Sequence, residues 1–168
     1  MTRPAIAAFG DAHEFLAHLR PAAAGDADAN PRLLVGALIV DPDADAEATR
    51  RAHDAWWDDA LRALRLSGVR AIAIVVDASS AKTFRARRRS LRLTSSFVKE
   101  LDVFAGIHLG RDVTTFGITI SRDADRTIVA ERLHELAERS IVVGDQMVVR
   151  SKNLRAQSIR ELMSEALL

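Results

Sequence analysis

Three short runs decide most of what this chain can become: LLVGALIVD at residues 33–41, VRAIAIVVD at 69–77 and VTTFGITI at 113–120. The first two are apolar almost throughout and the third is broken only by threonines and a glycine, so strands made of them have no charged face to offer water and need cover on both sides. A parallel sheet between two helical layers provides that cover. The intervening stretches supply the helices. In residues 46–66, Trp57, Leu61 and Leu64 recur at helical spacing, and Ser67-Gly68 stops the run. Residues 127–139 place Val129, Leu133, Leu136 and Ala137 on one stripe, and residues 95–109 do the same with Phe97, Leu101, Phe104 and His108.

The remaining segments complete the pattern. A short apolar strand at 5–10 precedes a helix at 11–20, and residues 21–31 form a loop. Residues 141–143 form a strand that 147–149 extend or pair beside, and a last helix covers 153–167. Alternation of this kind predicts an α/β fold: a three-layer α/β/α sandwich around a mostly parallel sheet of five or six strands. At 168 residues, with no repeat or linker, the chain is expected to be one domain spanning 1–168.

Composition narrows the chemistry. Without cysteine there are no disulfides, thiolate metal sites or cysteine nucleophiles. A net charge of +1 means that any nucleic-acid contact comes from a local patch rather than the whole surface. No run approaches the ~18 apolar residues of a membrane span, and the apolar start at 5–9 is short for a signal peptide, so the cytoplasm is the expected compartment and no membrane partner is expected. Two adjacent tryptophans, Trp56 and Trp57, cannot both face one core from a helix. One of them either stays half-exposed or marks a surface for self-association or a protein partner.

Four strands end in an acid or run straight into one: Asp11, Asp41, Asp77 and Asp123. All four then lie at the carboxyl edge of the sheet, where open α/β folds bind their ligands. An Asp after a strand also serves as a helix N-cap, with no further role. Which acids converge depends on strand order.

The order of these pieces resembles the NYN domain, a relative of the PIN-type metal-dependent nucleases. The resemblance spans nearly the whole chain. Where the family has a hydrophobic-Asp-x-x-Asn turn, AAFGDAHEF supplies Asp11 and puts Glu14 at the Asn position. Where a family helix carries Val-Asp-Val and a second Asp six residues on, VKELDVFAGIHLG supplies Asp102 and puts His108 second. For the family's Ser-Gly-Asp-Ser-Asp-Phe run followed by a helix and a strand, ISRDADRTIVAERLHELAERSIVVG keeps Asp123 and Asp125, with Arg122 for the Gly and Arg126 for the Phe. The C-terminal SKNLRAQSIRELM is similar to the family's last loop and helix.

The resemblance implies a Rossmann-like sheet in which the first and fourth strands are central neighbours. Asp11 and Asp123 then meet, with Asp102 and Asp125 nearby, and Asp41 and Asp77 are left as caps. It further implies a divalent-metal endoribonuclease in which Asp11, Asp102, Asp123 and Asp125, with Glu14, hold Mg²⁺ or Mn²⁺. Such ions take oxygen ligands and activate water against a phosphodiester. His108 lies on an apolar stripe and reads as a packed core residue. The alternative is a catalytically degenerate member that keeps the fold and binds RNA or a protein partner. That reading places Arg122, Arg126 or His108 as a plug in the acidic site. A third, a haloacid-dehalogenase-like phosphatase, centres on Asp41 and Asp43.

Lys82, Arg85, Arg87, Arg88, Arg89 and Arg92 crowd into KTFRARRRSLR. If helical, Lys82, Arg85, Arg89 and Arg92 share a face and form a phosphate-binding stripe with salt-sensitive affinity for RNA. The other reading is a solvated face paired with the acidic helix carrying Asp54, Asp58 and Asp59. Phe84 is the one aromatic among these arginines.

Overall fold

The structure is a computed structural model, and it describes residues 6–19, 31–41, 44–64, 69–109, 113–139 and 147–165. Five strands, β1 (Ile6–Gly10), β2 (Leu33–Ile39), β3 (Ala71–Asp77), β4 (Thr114–Ile120) and β5 (Met147–Arg150), form one all-parallel sheet. Five helices accompany them: α1 (His13–Leu19), α2 (Ala46–Ala63), α3 (Phe84–Leu109), α4 (Asp125–Glu138) and α5 (Ile159–Glu165). A 3₁₀ turn, Ser151–Arg155, follows β5 directly. None of the helices described is long and apolar enough to cross a membrane.

The continuous apolar runs are buried on both sides, as their composition requires. Leu33, Val35 and Ala37 of β2, with Ala71, Ala73 and Val75 of β3, face the layer of α1, α4 and α5. Leu34, Leu38, Ile72, Ile74 and Val76 face α2 and α3. Trp56 is buried in this second layer against Phe97, with ring centroids 4.7 Å apart, while Trp57 is half-buried beside Phe104 at 5.9 Å. Each tryptophan thus meets α3 at a different depth. At Gly117 a Cβ would come within 2.5 Å of the Thr94 methyl, so glycine is what lets α3 lie close on β4. Gly10 ends β1 at φ 113°, a conformation that favours glycine.

Helix α3 is longer than the sequence periodicity indicated. It runs unbroken for 26 residues from Phe84, taking in most of the basic segment. Thr83 starts it by accepting the Ala86 N–H at 3.1 Å. Ser90 and Thr94, which interrupt the apolar pattern, return their hydroxyl protons to the carbonyls of Ala86 and Ser90 at 3.0 and 2.8 Å, so the helix satisfies them internally. Downstream, the expected strand at 141–143 lies outside the described residues, and 147–150 is itself the fifth strand. The expected helix at 153–167 divides into the 3₁₀ turn and α5.

The strand order is β1-β2-β3-β4-β5, with no reversal. This corrects the expectation that β1 and β4 are neighbours: β2 and β3 lie between them, a separation of about 14 Å at the usual strand spacing. Because the strands advance in one direction while helices occupy both faces, crossovers through α1 and α4 have the opposite hand to those through α2 and α3. The usual right-handed rule would have forced a reversal instead.

Candidate functional site at the carboxyl edge of the sheet

Two charge clusters share the carboxyl edge. The first is built around Arg126 in the first turn of α4. Its Nε donates to the Asp77 carboxylate at 2.7 Å, and its Nη2 donates to Ser79 Oγ at 3.1 Å. Nη2 also lies 3.3 Å from Asp123, and Nη1 pairs with Glu14 of α1. Asp77, at 3% exposure, ends β3 and also accepts the Ser79 N–H at 3.1 Å. Burial acts to lower the Arg126 pKa, but the Asp77 hydrogen bond and charge, then Glu14 and Asp123, outweigh it and raise the value. Arg126 is therefore a fixed cation at the centre of three carboxylates.

Of the acids expected to converge, the structure brings together Glu14 and Asp123, both exposed and both on Arg126. Asp11 stays at the β1 edge. Its Oδ1 accepts the Ile39 N–H at 2.9 Å and its own N–H donates to Ala37 O at 3.0 Å, so it ties β1 to β2. Asp102 lies about 27 Å beyond Phe84 along α3 at the rise of an α-helix, toward the amino edge of the sheet. Asp125, at 1% exposure, does not share the Arg126 partner of Glu14 and Asp123. It accepts from Ser151 Oγ at 2.7 Å and from Arg155 Nε at 3.0 Å, and Ser151 in turn accepts the Ser121 N–H at 3.2 Å. Asp77, expected to be only a cap, is the buried counter-ion of Arg126. Asp41 is exposed after β2, whereas Asp43 and the His108 side chain lie outside the described residues.

The donors do not form a cage for Mg²⁺ or Mn²⁺. Among the described residues no group of three or more acids or histidines could hold a metal ion, and the one place where carboxylates converge is taken by a guanidinium. A divalent cation there would need Arg126 to withdraw from the buried Asp77.

The second cluster is basic. Between the end of β4, the first turns of α3 and the 3₁₀ turn lies a cavity of about 420 Å³ whose lining includes Arg87, Arg88, Arg122, Arg150, Lys152 and Arg155. Asp125 is the one carboxylate in that lining, and Arg155 and Ser151 already engage it. Among the described residues, Arg88, Arg122, Arg150 and Lys152 have no carboxylate within ion-pairing distance. Phe84, at 80% exposure, stands in the same wall. Arg88 also borders a second hollow that Lys82, Arg85, Arg89 and Arg92 line, so the basic surface runs on along α3.

No family model, no curated protein and no solved structure matches this chain. What the site can do therefore rests on its own charges and geometry.

Arg122, Arg150, Lys152 and Arg155 did not figure among the binding residues predicted from sequence. A signal for them existed: Arg122 lies two residues past β4, and Arg150 ends β5 with Lys152 two residues on, the same edge position at which the acids were counted. Ser90, in an arginine-rich setting that suggests a kinase target, is fully buried.

Proposed function

We propose that this chain binds single-stranded RNA along the basic first turns of α3 and in the adjoining cavity; its sequence resembles an NYN nuclease, but its strand order differs and its converging acids are already engaged by Arg126. The observation that carries this reading is Phe84, an exposed aromatic ring set among arginines at the carboxyl edge of a parallel sheet. Burying Phe84 would be favourable, and the fold leaves it out. Arginine forks hold phosphate oxygens in pairs, and an exposed ring offers a stacking surface to any base. An elongated row of cations suits a polyanion better than a single ion. RNA is named as the strand because the sequence resemblance implies it; phosphate and base chemistry alone would accept DNA.

Fluorescence anisotropy of a labelled single-stranded RNA, titrated at two salt concentrations beside DNA of the same sequence, tests the reading. Binding that weakens steeply with salt is expected, since each phosphate contact contributes a log–log slope of about −0.7 for single strands. Phe84→Ala should weaken binding by about 1–3 kcal/mol, the scale of one stacked base. Affinity that is absent at low salt, or indifferent to salt and to Phe84, overturns it.

A hydrolytic reading has one observation in its favour: Glu14, Asp77 and Asp123 do converge. The same RNA incubated with Mn²⁺ addresses it. Cleavage abolished by both chelator and Asp123→Asn would make the chain a metal-dependent nuclease, with Arg126 displaced in the working state.

A further inference from the structure

We infer that the cavity beside Phe84 is a pocket for a phosphomonoester at the end of a nucleic-acid strand, with the phosphate on Arg122, Arg150 and Lys152 and the terminal base against Phe84. The inference rests on the RNA-binding reading and narrows it.

The shape points to an end rather than to a passing chain. Ala78, Thr119 and Asp125, each at most 3% exposed, are among the lining residues and form its floor, so the cavity stops at the sheet. Its volume of about 420 Å³ lies in the range of small-ligand sites, about 300–1,000 Å³. A running strand crosses such a hollow without filling it, whereas a terminal nucleotide fits inside. Phe84 stands at the rim, where a base attached to a seated phosphate would lie.

The charge points to a monoester rather than a diester. The lining holds six cations and one carboxylate, a formal excess of five, and the carboxylate is already engaged. Arg87 is partly engaged too, donating from Nε to Ala81 O at 3.1 Å. Among the described residues five of the six cations have no carboxylate partner, and in a concave site they repel one another. A diester phosphate brings one negative charge. A terminal monoester brings about −1.5 to −2 at neutral pH, with three strong acceptor oxygens, which matches several convergent guanidinium forks. The Ser121 side chain, in the same lining, adds a hydroxyl. Asp125 acts here as a positioning residue: it holds Arg155 and, through Ser151, ties the 3₁₀ turn to the end of β4.

A free nucleoside monophosphate presents the same chemistry, so the test separates the two sources. A labelled ten-nucleotide RNA is titrated by anisotropy in three forms, with a 5′ phosphate, with a 3′ phosphate and with neither, and AMP is titrated by calorimetry. The proteins are wild type, Arg122→Ala/Arg150→Ala, and Lys82→Ala/Arg85→Ala/Arg92→Ala, each verified as folded by circular dichroism. One end phosphate is expected to tighten binding about tenfold or more, the scale of a charge-assisted hydrogen bond. The double variant should lose that advantage while still binding the unphosphorylated strand. The triple variant should weaken all three strands alike and keep the advantage. Equal affinity of wild type for all three strands overturns the pocket and leaves the RNA reading standing. AMP binding that needs Arg122 and Arg150, with no strand bound, overturns the RNA reading and the strand-end assignment and makes the cavity a free-nucleotide pocket. Binding of neither overturns both.

Discussion

The acidic and basic halves of the carboxyl edge use charge in opposite ways. Around Arg126 every carboxylate has a partner: one buried and two exposed carboxylates share a single guanidinium across α1, β3 and the start of α4. On the same edge, Arg122 and Arg150 line a cavity whose one carboxylate, Asp125, is taken by Arg155, and neither has a carboxylate within ion-pairing distance among the described residues. Charges that are mutually satisfied hold a fold together. Charges left convergent and unanswered cost the free protein something, and that cost is offset only when a ligand arrives. The acids attract notice in the sequence, but the cations are the half left available for binding.

Removing Arg126 should break the contrast most visibly. Arg126→Met leaves Asp77 charged, buried and without its cation, and breaking a buried pair from one side destabilises by about 3–5 kcal/mol. Urea unfolding measures this directly. Adding Asp77→Leu should recover much of the loss, because a buried pair replaced by packed apolar groups is often neutral. Loss below about 1 kcal/mol in the single variant would mean that Arg126 is not structural and is free to leave for a metal.

Asp125 comes next. Asp125→Asn weakens its bonds from Arg155 and Ser151, and leaving buried polar groups imperfectly partnered costs about 1–3 kcal/mol. The loss should be smaller than for Arg126 because Arg155 is 42% exposed and can turn to water. Stability unchanged by the substitution would argue that Asp125 is poised for chemistry rather than for holding the 3₁₀ turn.

The cavity cations should show the reverse profile. Arg122→Ala, Arg150→Ala and Lys152→Ala remove no ion pair among the described residues, so each should leave unfolding within about 0.5 kcal/mol of wild type. A slight stabilisation would sharpen the contrast further, since relieving repulsion is the one electrostatic change each makes. A loss as large as that of Arg126→Met would erase the distinction between the two halves.

The parallel sheet and both helical layers were legible because runs such as 33–41 and 69–77 have no polar face and admit few alternatives. Strand order was not, since pairing is carried by contacts between distant segments and the handedness rule favours a reversal that this sheet lacks. The site suffered for the same reason. Arg126 and Asp77 are 49 residues apart, and no spacing links them. Asp123 and Asp125 look equivalent in the sequence, yet the start of α4 rotates one into solvent and the other into the seam with the 3₁₀ turn. The basic segment was legible as composition; its continuation onto the ends of β4 and β5 needed the fold.

Glu161 supplies the smallest effect and a control for the others, because its charge is held by hydrogen bonds rather than by a buried counter-ion. Ser158 N–H and Oγ donate to its carboxylate at 2.7 and 2.9 Å, and Glu161 N–H returns a bond to Ser158 Oγ at 3.2 Å, a capping box at the start of α5. The backbone bond, then the side-chain bond, lowers the Glu161 pKa, with Arg132 and Arg139 adding weakly. A lowered folded pKa favours the native state above the unfolded value of about 4.3 and loses that contribution as pH falls through the folded value. Wild type should therefore exceed Glu161→Gln in thermal stability at pH 7, and the gap should close as pH falls below about 4.3. Salt should leave most of this gap intact, since local hydrogen bonds are screened little. RNA binding by the basic cavity should collapse over the same salt range. A Glu161 gap that disappeared with salt would mean that its arginine neighbours, not Ser158, hold the charge.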